Sequence, residues 1–143
     1  MAGWIFLLAA SATFALDQAS KAIATRHPPA VRTAPGSARW SFGPALNPVR
    51  GGSRRRFRPI ALWLVTALMA ALWIARIGPR LDAIAAATLG GAIGGAAGNA
   101  CDRVVRGGVI DFIAWRRMVA FNLADLAIIA AVATLAIRWA RGF

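Results

Sequence analysis

Glutamate and tyrosine are absent from this chain, and cysteine and histidine occur once each. One thiol, Cys101, excludes an intramolecular disulfide and offers no metal-ligand spacing. The lone histidine, His27, falls in a proline-rich stretch. That leaves no basis for a His-built metal site or a Ser/His/Asp triad, so no metal or other cofactor is expected. Negative charge is confined to five aspartates, against seventeen Lys and Arg and a net charge of +12. The basic residues are divided among loops by apolar segments, so they form no continuous basic face for nucleic acid. Anionic phospholipid headgroups suit them better.

What is present is apolar surface. The chain is 59% hydrophobic over 143 residues, with a mean hydropathy of +0.59, which indicates one integral membrane domain. Four segments stand out, each better read as a helix than a strand. They cover about residues 3–24, 59–77, 83–101 and 119–138. A helix crossing ~30 Å of hydrocarbon needs about 20 residues. The first segment has a rival reading as a secretory signal peptide with a small-x-small site at Thr13-Phe14-Ala15. No basic residue precedes its apolar run, however. Pro59 is expected at the start of the second helix, and Asp82 reads as the N-cap of the third. Gly90, Gly94 and Gly98, with Gly91 and Gly95 beside them, form a doubled GxxxG pattern for close helix packing.

The connections are unequal. Residues 25–58 are rich in Pro, Gly and Arg, with Ala38–Phe42 the best candidate for a strand. Residues 76–80 read as a tight turn. Residues 102–118 read as an interfacial loop carrying Asp111. The fold expected is all-α and four-span, with a small, β-containing element between the first two helices.

Four of the five aspartates sit at the rims of apolar segments: Asp17, Asp102, Asp111 and Asp125. An ionisable group there costs roughly 3 kcal/mol or more, so it marks a functional site. Helices one and three run in the same direction and helix four opposes them. The end of one, the end of three and the start of four therefore share a membrane face, and all four aspartates lie on it. Asp17 and Lys21 are four apart, in the favourable order for a helical ion pair; Asn99 with Asp102, and Asn122 with Asp125, are three apart. Asp102 with Arg103 also reads as a structural ion pair, and Asp125 as a helix N-terminal acid.

Two carboxylates in a partly desolvated site cannot both ionise cheaply, so one keeps a proton. Such a pair hydrolyses peptide bonds: the charged member activates water, and the protonated one polarises the carbonyl and then protonates the amine. Intramembrane acids also build proton or ion relays. A small coupled transporter is therefore the alternative from another class, although these acids gather at one face.

The motifs DQxSK (Asp17–Lys21), GNxxDR (Gly98–Arg103), VxDF (Val109–Phe112) and FNxAD (Phe121–Asp125) occur in that order. In this the chain resembles the lipoprotein signal peptidases, or signal peptidase II family, membrane aspartyl proteases of bacteria. The resemblance implies a catalytic dyad of Asp111 and Asp125. It implies supporting or substrate-binding roles for Asp17, Lys21, Asn47, Asn99, Asp102, Arg103 and Asn122. It implies cleavage of diacylglyceryl-modified prolipoproteins just before the lipidated cysteine, without a cofactor, by a monomer of the bacterial inner membrane.

The chain departs from the family in two respects. The small-aromatic element that follows the family's asparagine is replaced after Asn47 by Arg54-Arg55-Arg56. The family's extracytoplasmic site also leaves only Arg76, Arg80, Arg138 and Arg141 on the cytoplasmic side, the reverse of the positive-inside rule. These departures leave open a divergent substrate or a non-catalytic lipopeptide-binding role.

Overall fold

A computed structural model describes residues 1–26, 40–48, 54–77, 82–115 and 119–141. The described residues form four helices, α1 (Ala2–Ala24), α2 (Arg54–Ile77), α3 (Ala83–Val105) and α4 (Leu123–Ala140). Three strands, β1 (Trp40–Pro48), β2 (Gly108–Trp115) and β3 (Val119–Phe121), form an antiparallel sheet in the order β1-β2-β3. His27 and residues 78–80 of the expected turn lie outside the described residues, as do Ala38 and Arg39 of the expected strand.

The packing is inverted relative to a water-soluble domain. The largest fully buried side chains are Lys21, Asn122, Asp17 and Asp102, while Leu8, Leu16, Leu62 and Ile129 stand exposed. Lipid imposes no penalty on exposed leucine, so helices associate there through small residues and polar bonds. The glycines of α3 supply the first. A Cβ on Gly90 or Gly94 would run into the α1 backbone at Phe6 or Ala10, and one on Gly95 would lie 2.8 Å from the Ala124 carbonyl oxygen. The small residues thus set α1 and α4 directly against α3. Among the described residues, α1 and α3 are the helices long and apolar enough to cross a membrane.

Helix directions follow the sequence reading. The ends of α1 and α3 meet, since a Cβ on Gly98 would strike the Asp17 carboxylate. Asp82 caps α3, accepting from the Ala85 N–H at 2.8 Å. It also accepts a hydrogen bond from Arg138 near the end of α4. On α2, the Trp63 indole donates to the Ile93 carbonyl at 2.9 Å. Five residues separate α2 from α3, too few at about 3.5 Å each to return along a helix, so the two run antiparallel. Arg54 and Asp102 each lie nine residues from that contact, so at ~1.5 Å per residue they start and end near one level.

Four expectations need correction. Helix α2 begins at Arg54 rather than Pro59. Arginine is a good helix former, and the helix runs through Pro59 without its bond to the Arg55 carbonyl. Helix α3 continues past Cys101 to Val105 and stops where Gly107 takes φ 73°, the left-handed conformation glycine adopts after a helix. Residues 119–121 form β3 rather than the start of α4. Asp111 lies in β2, paired with Ala45 of β1, not on a loop. Val109, Ile110, Phe112 and Ile113 favour a pleated surface. Backbone groups near hydrocarbon must also find partners, which a sheet supplies. The β element therefore draws strands from both long connections, not only the first.

Candidate active site

Lys21 is the only lysine in the chain; every other basic side chain is arginine. It is completely buried at the end of α1. Its ammonium lies 2.6 Å from Asp17 Oδ2 and 2.8 Å from Asp102 Oδ2, and donates to Asn99 Oδ1 at 3.0 Å. Three donors thus meet three acceptors, which suits a compact ammonium better than a planar guanidinium. Asp17 also accepts the Ala124 N–H at 3.1 Å, tying α1 to the first turn of α4. Asp102 is bound by Arg106 one turn later, by Gln18 Nε2 at 3.2 Å and by the Ile110 N–H at 3.4 Å. Arg106 reaches back to Gln18 Oε1 at 3.0 Å. Two aspartates and two cations make this cluster electrically neutral.

Asn99 transmits the cluster's geometry outward. With its oxygen committed to Lys21, its amide nitrogen donates to Asp125 Oδ1 at 2.9 Å. Asn122, also completely buried, precedes α4 as its N-cap. Its Oδ1 accepts the Asp125 N–H at 3.1 Å, and its own N–H donates to Asp125 Oδ2 at 3.3 Å, a reciprocal capping box. Its Nδ2 donates to Asn99 Oδ1 at 3.1 Å and to Asp111 Oδ1 at 2.8 Å. One asparagine therefore touches both Asp111 and Asp125.

These two carboxylates differ from the other pair. Among the described residues, no Lys or Arg forms an ion pair with Asp111 or Asp125. Burial pushes the Asp111 carboxyl above its usual range; the Asn122 hydrogen bond opposes the shift and the nearby Asp125 charge adds to it. Asn47, on β1, also opposes the shift of Asp111. Asp125 accepts hydrogen bonds on both oxygens.

The residues singled out from sequence thus gather in one place, with two changes of partner. Asp102 pairs with Lys21 and Arg106 rather than Arg103. Arg103 instead donates to the Asn99 carbonyl at 3.1 Å. Asp125 is also a first-turn acid of α4, so the structural reading of that residue describes part of its role. Gln18 and Arg106 were not among the candidates. The four-residue spacing of Asp102 and Arg106 was the available signal for the second.

The family described as signal peptidase (SPase) II matches residues 9–141. A lipoprotein signal peptidase of Methylorubrum extorquens is 39% identical over 147 residues, covering 90% of this chain and 81% of the relative. The chain belongs to the signal peptidase II family. Another lipoprotein signal peptidase, from a Methylobacterium species, is 37% identical over 150 residues, covering 90% of this chain and 84% of its own. The fold resembles that of a bacterial membrane enzyme solved by the in meso method at 1.9 Å resolution. The two share a TM-score of 0.72 at 22% identity, over 94% of this chain and 91% of the other. Signal peptidase II membership makes this a bacterial membrane peptidase.

Proposed function

We propose that this chain is an aspartyl endopeptidase that removes signal peptides from diacylglyceryl-modified prolipoproteins, cutting before the lipidated cysteine. The observation that carries the dyad is Asn122, which bonds Asp111 through its side chain and caps the turn that holds Asp125. Burial raises the Asp111 carboxyl, which supports the acid's role for it; Asp125, an acceptor on both oxygens, suits the base's.

In the first step a water oxygen bonds the scissile carbonyl carbon as Asp125 takes the water's proton. Asp111 gives its proton to the carbonyl oxygen, producing a neutral gem-diol. In the second step Asp111, now charged, takes back a hydroxyl proton as the carbonyl re-forms. Asp125 passes its proton to the leaving nitrogen and the C–N bond breaks. Water is consumed, and each carboxyl ends in its starting state.

All four helices span the bacterial inner membrane in this reading, the protein acts as a monomer, and the site faces the extracytoplasmic side. The substrate's lipid remains in the bilayer, so its scissile bond comes to the rim where the sheet lies. The arginines that open α2 then meet anionic phospholipid headgroups of the outer leaflet. A reporter fused after Arg141 is expected to behave as cytoplasmic; a translocated one sinks the orientation.

The deciding experiment is cleavage of a diacylglyceryl-modified prolipoprotein by the purified protein in detergent. Turnover lost in both Asp111→Asn and Asp125→Asn, with folding retained, is the expected result. Folded native protein that cleaves no substrate across several signal sequences overturns the catalytic reading.

A further inference from the structure

Strand β1 pairs Phe42 with Ile113, and Ala45 with Asp111. Two residues, Gly43 and Pro44, thus stand on β1 where only Phe112 stands on β2. That is a β-bulge, a device that re-aims side chains, and glycine and proline are residues it accommodates. Its consequence is a change of parity. Side chains alternate between faces, so Phe42 and Ala45, three apart, would point to opposite sides of a regular strand. The extra residue brings both onto one face, shared with Asn47 and with Val109, Asp111 and Ile113 of β2.

The row through Phe42 continues across the sheet. Ile113 pairs with Phe42 on one side and with Phe121 of β3 on the other. Directly paired residues share a face. Phe42, Ile113 and Phe121 therefore form an apolar row beside Asp111. Phe42 is 73% exposed at its open end, although it is a large apolar side chain on the same face as a buried carboxylate. Strand and residue spacings place its Cα about 8 Å from that of Asp111. An extended peptide covers this distance in two or three residues.

We infer that Phe42 is a specificity-determining residue that receives an apolar side chain of the signal peptide, within three residues before the scissile bond. The apolar occupant follows from the row itself, which leaves Phe42 open to another apolar group, and the signal peptide is the side of the bond that carries an apolar segment. The inference rests on the proposed peptidase reading, because it takes Asp111 to mark the scissile bond.

The test is a double-mutant cycle between enzyme and substrate. Lipidated peptides carry Leu or Ala at each of the three positions before the cysteine, and are cleaved by the native protein and by Phe42→Ala. At one position, the native protein is expected to lose about tenfold or more in kcat/KM on the change from Leu to Ala. The loss falls mainly in KM. Phe42→Ala loses a similar factor on the Leu peptide and little further on the Ala peptide, because the partners act as a pair. Additive losses at all three positions, or unchanged kinetics in Phe42→Ala, overturn the inference.

Peptide binding to Asp111→Asn, with and without Phe42→Ala, supplies a readout that needs no turnover. The same coupling there supports Phe42 even if the native protein proves inactive, which would strike only the catalytic reading. Equal affinities throughout, beside normal cleavage by the native protein, strike only Phe42. An exposed side chain leaves the fold intact when truncated, and an unchanged thermal midpoint checks this.

Discussion

The four rim aspartates divide into two pairs with opposite environments. Asp17 and Asp102 are completely buried, each bonded to Lys21, and Asp102 also to Arg106. Asp111 and Asp125 lie beside them without an ion pair among the described residues, joined through neutral asparagines. In the proposed mechanism, one residue type serves two purposes. A carboxylate whose charge is cancelled becomes a strut. A carboxyl held only by amides has no fixed counter-charge and is the kind the proposed reaction uses. Asn99 and Asn122 are the boundary, passing geometry from the first pair to the second without passing charge.

The comparison breaks most sharply if activity follows the wrong pair. Asp111→Asn and Asp125→Asn are each expected to lower the rate of prolipoprotein cleavage by about 10³-fold or more, as loss of a general acid or base does. Both should still fold, because asparagine keeps the shape. Asp125→Asn tests the point hardest, since it also disturbs the α4 capping box. A folded Asp125→Asn that still cleaves would make Asp125 only a cap.

Next in size is the cation that defines the strut. Lys21→Met leaves Asp17 and Asp102 under-neutralised in a buried place, and removing one partner of a buried ion pair costs about 3–5 kcal/mol. Lys21→Arg should fail to restore stability, since a planar fork does not fit the three acceptors around Nζ. Thermal unfolding in detergent measures both. A Lys21→Arg protein as stable as the native one would show that charge alone matters there.

Much of this division was legible in the sequence, and the reasons are local. The i, i+4 spacing of Asp17 and Lys21 and the i, i+3 spacing of Asn99 and Asp102 showed which groups share a helical face, while the same spacing of Asn122 and Asp125 proved to be that of a capping box. The parity of helix directions then placed all four aspartates together. Asp111's strand was harder to see. A run such as VIDFIAW is short and apolar, with a buried acid inside, so it shows no alternation to separate strand from interfacial loop. The bulge at Gly43–Pro44 was invisible for another reason: it exists only in the register between two strands far apart in sequence. The arginine start of α2 was missed because Pro59 reads as a helix opener, and a proline one turn inside looks the same from sequence.

A smaller effect is expected with pH, and its sign sets Asp111 apart from Asp82 at the opposite rim. Asp111's carboxyl is raised above its usual value of 3.8, chiefly by burial. The unfolded chain therefore releases that proton first as pH rises. The folded state loses stability from about the usual value up through the raised one, and the deficit persists at neutral pH. Asp111→Asn removes the deficit. The variant should unfold at a higher temperature than the native protein at neutral pH, with the advantage shrinking as pH falls toward 3.8. Unfolding scans across pH test this directly. An advantage independent of pH would mean that asparagine simply packs better, and the proton equilibrium at Asp111 would need another account.

The smallest effect lies at the opposite rim, at the one aspartate outside the site. Asp82 is held below its usual value of 3.8, first by the Ala85 N–H that it caps and also by Arg138. Its sign is the reverse of Asp111's. The folded state keeps this proton off, so the contribution is present above the usual value and fades as pH falls through the lowered one. Asp82→Ala should lower the thermal midpoint slightly at neutral pH, and the difference should close on acidification. Cleavage should be untouched, because the contact ties the start of α3 to the end of α4, a full helix away from Asp111. A rate that fell with Asp82→Ala would show that the far rim controls how α3 and α4 are spaced at the site, and the separation of struts from working carboxyls would have to include it.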